Sequence, residues 1–250
     1  MLLAAAAVAI GAAVQSATGF GFGLVLSPAL FAAFEPYEAV SVLLVLSLAL
    51  NLLVLADGGP GPVRWRILAP LMAAAVPGMG VGVLVLKSVS KPVLQIALGL
   101  AVMAATAWQL RSLTARGSVP AAGARSEPPL AGGFTAGFVS GTLTTSIVVS
   151  GPPILLWLEA VGLRPAEVRA TLAASFLVLN LAGGGIVIAA GGAGTLRASV
   201  LVPMLGLVLA GHLAGALAFR RLAGSHFSHL VLGLAACAGT ASLVAGLAGL

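Results

Sequence analysis

Six long apolar stretches, each about as long as a bilayer is thick, dictate what this chain can fold into: Tyr37–Ala56, Arg64–Leu86, Pro92–Leu110, Ala166–Ala190, Leu196–Phe219 and Phe227–Leu250. A spanning helix needs about 20 predominantly apolar residues. Nothing in these stretches alternates with period 2, and a lone chain crosses lipid only as helices or as a closed barrel. Composition agrees. Of 250 residues, 60% are hydrophobic and 7% are charged, and mean hydropathy is +1.16. A soluble domain carries roughly 25% charged residues, and a compact fold of this length has too much surface to hide so much apolar side chain. The expected class is an all-α polytopic membrane protein, multi-pass in a cell membrane with the bilayer as solvent.

The 12 Lys plus Arg against 6 Asp plus Glu leave a formal charge of +6. Nucleic-acid binding would gather those cations on one exposed face. Here they stand singly between apolar runs, as markers of topology. The lone Cys237 excludes an internal disulfide or dithiol pair and reads as a small buried hydrophobe. Three scattered histidines give no metal-ligand spacing, so neither a metal nor a cofactor is expected. The apolar start, Met1 to Ile10, has no basic residues ahead of it and reads as part of the mature fold.

Two stretches differ from the six. Leu2–Phe34 is interrupted by Gly19-Phe20-Gly21-Phe22-Gly23 and Pro28, and Leu130–Leu158 by the polar run Ser140 to Ser146 and by Gly151-Pro152-Pro153. Glycine and proline weaken a helix interior by roughly 1 and 3 kcal/mol relative to alanine. Each stretch therefore reads as a broken or re-entrant first helix, followed by three spans.

The two halves correspond. Pro36-Tyr37-Glu38 matches Pro165-Ala166-Glu167, and Asn51-Leu52 matches Asn180-Leu181, at an offset of 129. After a four-residue shift, Arg64, Pro70, Gly78 and Gly82 match Arg197, Pro203, Gly211 and Gly215, and Pro28 stands opposite Pro153. Residues 1–111 and 129–250 are the expected half-repeats, and 112–128, with Arg116, Arg125 and Glu127, the linker. If each broken segment re-enters, nine cations share one face and three the other; if each spans, the count is six against six. The positive-inside rule favours re-entry, which leaves three spans per half and inverts one half relative to the other.

Inverted repeats with paired helix breaks place a transport site at the breaks. A helix ending inside the membrane leaves backbone N–H groups unpaired, and its N-terminus attracts an anion. Candidate binding groups in the first half are Gln15, Ser16, Thr18, Gly19, Phe20, Gly21, Phe22, Gly23 and Asn51. In the second they are Ser140, Thr142, Thr144, Thr145, Ser146, Ser150 and Asn180. Amides and hydroxyls suit an oxyanion without a buried cation; the competing reading is tight helix packing through small residues. His212 lies inside a span and can titrate. Glu38 and Glu167 sit at helix starts, as caps or as gate and coupling groups. His226 and His229 read as interfacial. The expected partners are a small anion and the bilayer, with a proton or another ion as coupling candidate and a homodimer as an open alternative.

The chain resembles the TauE/SafE (TSUP) family of sulfite exporters. The resemblance rests on Ala17-Thr18-Gly19-Phe20-Gly21-Phe22-Gly23 leading to Pro28, on Gly137-Phe138-Val139-Ser140-Gly141 and on Gly151-Pro152-Pro153. It departs from the family pattern at Thr142-Leu143-Thr144-Thr145-Ser146, where hydroxyls replace glycines. It implies export of sulfite, or of an organosulfonate such as sulfoacetate, through a prokaryotic inner membrane. The alternatives are an anion channel and an intramembrane hydrolase using Ser140 or Ser146 with His212, for which the sequence shows no acidic residue to orient the base.

Overall fold

The computed structural model describes residues 2–57, 62–114, 130–191, 194, 196–221 and 225–250, with backbone alone at 2, 112–114, 130, 165–166, 218–221 and 225–231. Most of the expected linker, and the side chains of Arg220, Arg221, His226 and His229, lie outside the described residues.

Among these residues the chain is all helical. The first five helices are α1 (Leu2–Thr18), α2 (Phe22–Ala33), α3 (Pro36–Ala56), α4 (Trp65–Ser88) and α5 (Lys91–Thr114). The next five are α6 (Leu130–Ser146), α7 (Gly151–Ala160), α8 (Pro165–Ala189), α9 (Ala198–Arg221) and α10 (Ser225–Ala248). Segments within α3, α4, α5, α8 and α9 are long and apolar enough to cross a membrane; the described side chains of α10, Leu232–Ala248, form a shorter apolar helix. The α3 span is 61% buried and the α9 span 28%, so α3 is central and α9 faces outward. Phe22, Leu26, Leu30 and Phe31 of α2 and Leu43, Leu46 and Leu50 of α3 are fully buried.

Both broken segments fold back as helical hairpins. A Cβ at Gly132 or Gly133, at the start of α6, would meet the indole of Trp157, near the end of α7. One straight helix would put those residues more than about 35 Å apart, at 1.5 Å per residue. In the first hairpin a Cβ at Gly11 would lie 3.1 Å from the Phe22 ring.

The breaks fall differently from expectation. The run Ser140–Ser146 does not interrupt α6; its hydroxyls find partners within the helix by bonding back to carbonyls one turn earlier, Thr144 to Ser140 (2.6 Å) and Ser146 to Thr142 (2.7 Å). The second break is instead Ile147–Ser150, and Gly151-Pro152-Pro153 opens α7, where proline's missing N–H costs nothing. Pro28 lies inside α2, where buried neighbours hold the helix through it. Cys237 is exposed rather than buried, because α10 turns Ala235 and Gly239 inward instead.

Two close helix crossings position the rest. Gly78 and Gly82 of α4 rest on the carbonyl oxygens of Phe138 and Thr142 in α6, leaving no room for a Cβ. Gly211 and Gly215 of α9 rest in the same way on the carbonyls of Ala9 and Ala13 in α1. The glycines are the matched pairs of the sequence, and the carbonyls are related by the offset of 129. Such contacts let helix backbones approach within lipid, where packing rather than water exclusion drives association.

Candidate functional site

The two breaks meet around a cavity of about 40 Å³. From the first hairpin come Gln15, Phe20, Gly21, Gly23 and Leu24; from the second, Val148, Val149, Ser150, Gly151 and Pro152. Helix α3 contributes Ser47 and Asn51, and α8 contributes Phe176 and Asn180. Ser47 and Phe176 each stand one turn before the paired asparagines, at positions related by the offset of 129.

The local chain explains the geometry. Gly19 (φ 89°) and Gly21 (φ 109°) take left-handed conformations that end α1 and start α2 within three residues, a route that glycine follows without steric cost. Across the cavity Val148 is left-handed too, φ 55°. A β-branched residue there is strained, and it turns the carbonyl of Val148 onto Gly23.

Both half-helix N-termini face the cavity without a side-chain cap. In α2 the Phe22 N–H reaches Gln15 Oε1 (3.3 Å), and the first in-register bond is Val25 N–H to Gly21 O (3.2 Å). The amides of Gly23 and Leu24 therefore precede the helix's own ladder. In α7 the prolines supply no N–H, so α2 is the stronger donor end.

Side chains complete the lining. Gln15 Nε2 donates to Asn51 Oδ1 (2.8 Å), and Asn51 Nδ2 donates to the Ser47 carbonyl (2.8 Å). Asn180 is 5% exposed, and neither its amide nor the hydroxyls of Ser47 and Ser150 has a hydrogen-bond partner among the described residues. All three line the cavity, so they are free to bond a ligand there. No charged side chain lines the cavity. Half-buried Arg169 stands behind the first break, donating from Nη2 to the Ser16 carbonyl (2.9 Å) and packing its chain on Gly19.

A family model for the sulfite exporter TauE/SafE matches residues 3–242. The chain belongs to that family. No curated protein and no solved structure matches it. Family and apolar helices together make it a multi-pass membrane protein, and its family is one of sulfur-compound exporters.

In this TauE/SafE protein, the sequence-derived candidates divide. Gln15, Phe20, Gly21, Gly23, Asn51, Ser150 and Asn180 line the cavity. Thr18 bonds the Val14 and Phe20 carbonyls and shapes the turn; Gly19 packs on Arg169, and Phe22 is fully buried. Thr142 and Thr145 donate to the carbonyls of Gly78 (3.1 Å) and Met79 (2.8 Å), joining α6 to α4. Thr144 and Ser146 bond within α6, while Ser140 is fully buried with its hydroxyl unpartnered.

Neither Ser140 nor Ser146 bonds His212. Its Nδ1 meets Ser16 Oγ (2.8 Å) and its Nε2 meets Asp57 Oδ2 (3.2 Å), so an acidic residue does orient this histidine. Glu167 accepts from Arg64 Nη2 (2.5 Å), Arg164 Nη2 (3.0 Å) and the Arg164 backbone N–H (3.1 Å). The matching pair, Glu38 and Arg197, is wider at 3.9 Å.

Sequence reading missed Ser47, Leu24, Phe176, Val148, Val149, Arg169 and Asp57, and named Gly151 and Pro152 only as part of the break. Ser47 and Phe176 had a usable signal, one turn from the paired asparagines. Val148 and Val149 had none, since apolar β-branched residues read as membrane span.

Proposed function

We propose that this protein carries a small sulfur oxyanion, sulfite or an organosulfonate such as sulfoacetate, across the inner membrane of a prokaryote, binding it between the two breaks. The observation that carries the reading is the cavity itself. Two half-helix N-termini without side-chain caps from their N-cap residues, the backbone amides of Gly23 and Leu24, and the unpartnered Asn180, Ser47 and Ser150 converge on one small, partly open space. Each helix N-terminus brings about half a positive charge, and hydroxyl and amide donors suit oxyanion oxygens. An oxyanion so held needs no permanent cation in contact with it, so it can also leave.

The duplicated glycine-on-carbonyl crossings and the paired asparagines support residues 1–111 and 129–250 as half-repeats about the cavity, joined by the linker 112–128. The hairpins support re-entry of the broken segments and hence an inverted arrangement. Arg64–Glu167 and Arg197–Glu38 are then equivalent ties between halves, one tight and one loose, as an alternating carrier's two gates would be in any single state.

Purified protein in liposomes, offered sulfite, sulfate, sulfoacetate, chloride and a neutral solute, tests the reading. Saturable sulfite or sulfonate movement, accelerated by the same anion on the far side, is expected of a carrier. Folded protein that moves none of these anions would sink the proposal.

A further inference from the structure

We propose that Ser16, His212 and Asp57 form a proton-binding centre whose protonation raises the site's affinity for its anion, so that a proton accompanies the transported ion. The inference deepens the transport reading and rests on it.

The three residues come from three helices. Ser16 is in the last turn of α1, His212 is midway along α9, and Asp57 follows the last residue of α3. Ser16 and His212 are 6% and 4% exposed, whereas Asp57 has a side chain 59% exposed. The centre thus runs from an open carboxylate to a buried hydroxyl. The residue next to Ser16 is Gln15, which lines the cavity and holds Asn51.

The hydrogen-bond chemistry fixes the sign. An ionised carboxylate only accepts. With Asp57 charged and His212 neutral, the ring N–H must be Nε2–H, donating to Asp57, and the bare Nδ1 accepts from the Ser16 hydroxyl. A proton from hydronium then adds at Nδ1: the N–H bond forms as the hydronium O–H bond breaks, leaving water. The imidazolium donates from both nitrogens, so Ser16 becomes the acceptor and its hydroxyl hydrogen is released to another partner. The centre's net charge rises from −1 to zero. Both changes favour an anion nearby, and by reciprocity the anion favours the proton.

Among the described residues few other charges compete. The helices packed on this part of α9 are α1 and α3. Helix α1 carries no ionisable side chain, and α9 carries none between Ala198 and Phe219 except His212. Glu38 lies at the far end of α3, paired with Arg197. Arg169 touches the Ser16 carbonyl, and the Asp57 carboxylate meets the His212 ring, so one cation and one anion neighbour the centre.

The test measures exchange of radiolabelled sulfite in proteoliposomes at equal pH on both sides, across the range in which histidines change charge, about pH 5 to 8. Sulfite's own titration is common to all variants, so the comparison between them carries the result. Wild-type exchange should rise as pH falls, by roughly fivefold more than in His212→Gln, in line with ordinary site–site coupling. Asp57→Asn, at an exposed position, removes the counter-charge of the imidazolium and should weaken the rise of exchange at low pH relative to wild type. A wild-type pH profile in folded Asp57→Asn or His212→Gln would overturn the proposal while leaving transport intact. Absence of sulfite exchange at every pH in wild type would defeat the transport reading and this one with it.

Discussion

The backbone carbonyl of Val148 lies against Gly23, so closely that no side chain fits at residue 23. These residues stand at the same sequence offset that sets Pro28 opposite Pro153. The two breaks therefore touch through equivalent positions, and the cavity exists because one of them has no Cβ.

Gly23→Ala is accordingly expected to abolish anion flux. The methyl group meets backbone rather than a flexible side chain, and overpacking of this kind costs about 1–3 kcal/mol. Gly21→Val should act alike, since Gly21 is left-handed and a side chain there adds roughly 1–2 kcal/mol of strain. Gly80→Ala, with open space around its Cβ, is the control and should transport normally. Flux is compared after confirming equal membrane insertion; normal flux in Gly23→Ala would remove the contact from the mechanism.

The paired asparagines should behave differently from each other. Asn51 is tied to Gln15 and Ser47, and Asn51→Ala leaves the buried Gln15 amide unpaired, at a cost of about 1–3 kcal/mol. A lowered Tm is the expected readout. Asn180 has no internal partner among the described residues, so Asn180→Ala should leave Tm nearly unchanged. It should raise KM for sulfite by roughly tenfold, the equivalent of one hydrogen bond of about 1.4 kcal/mol. A Tm loss in Asn180→Ala with KM unchanged would refute its role as a ligand group.

Hydroxyls of α6 that bond carbonyls should matter for packing and not for substrate. Ser146→Ala, which loses a bond within one helix, should keep flux within about twofold. Thr145→Val, which cuts the α6-to-α4 bond to Met79, should lower stability by about 1 kcal/mol with unchanged KM. A selective KM increase in either variant would return these hydroxyls to the site.

Such cases show what was legible in the sequence. The six long helices, the two broken segments and the paired Asn51 and Asn180 were legible because their chemistry recurs at fixed offsets and lipid tolerates few alternatives. The second break was read at Ser140–Ser146 as well as at Gly151-Pro152-Pro153; the first of these looks like an interruption, but its hydroxyls bond within a continuous helix. Of its true residues, Ile147 to Ser150, the first three are apolar and carry no sign of a turn. Asp57 was invisible as a partner of His212, because spatial convergence of α3 and α9 leaves no local pattern.

Across the halves, Arg64 and Glu167 should act as a unit. Arg64→Glu alone sets two carboxylates together and should reduce flux severalfold; the exchange Arg64→Glu with Glu167→Arg restores attraction and should recover part of it. Arg197→Gln, breaking the wider 3.9 Å pair, should affect flux less if this state predominates. Equal losses in single and exchanged variants would mean that the attraction itself contributes nothing, as holds for many exposed ion pairs.

Cavity size sets the last expectation. A volume of about 40 Å³ has room for a few water-sized atoms, each needing about 10–15 Å³. That suits the compact sulfite better than sulfoacetate with its added acetate arm. Phe176 lines the cavity and stands 3.3 Å from where a Cβ would sit on Gly151, so its ring bounds the space at the start of α7. Phe176→Ala should therefore shift selectivity toward sulfoacetate, measured as the ratio of kcat/KM for the two anions. Truncating a buried aromatic costs about 3–5 kcal/mol of stability, so Phe176→Leu, which keeps most of the volume, should shift the ratio less with a smaller fall in Tm. An unchanged ratio in both variants would show that the ring at Phe176 does not set the size of anion this protein carries.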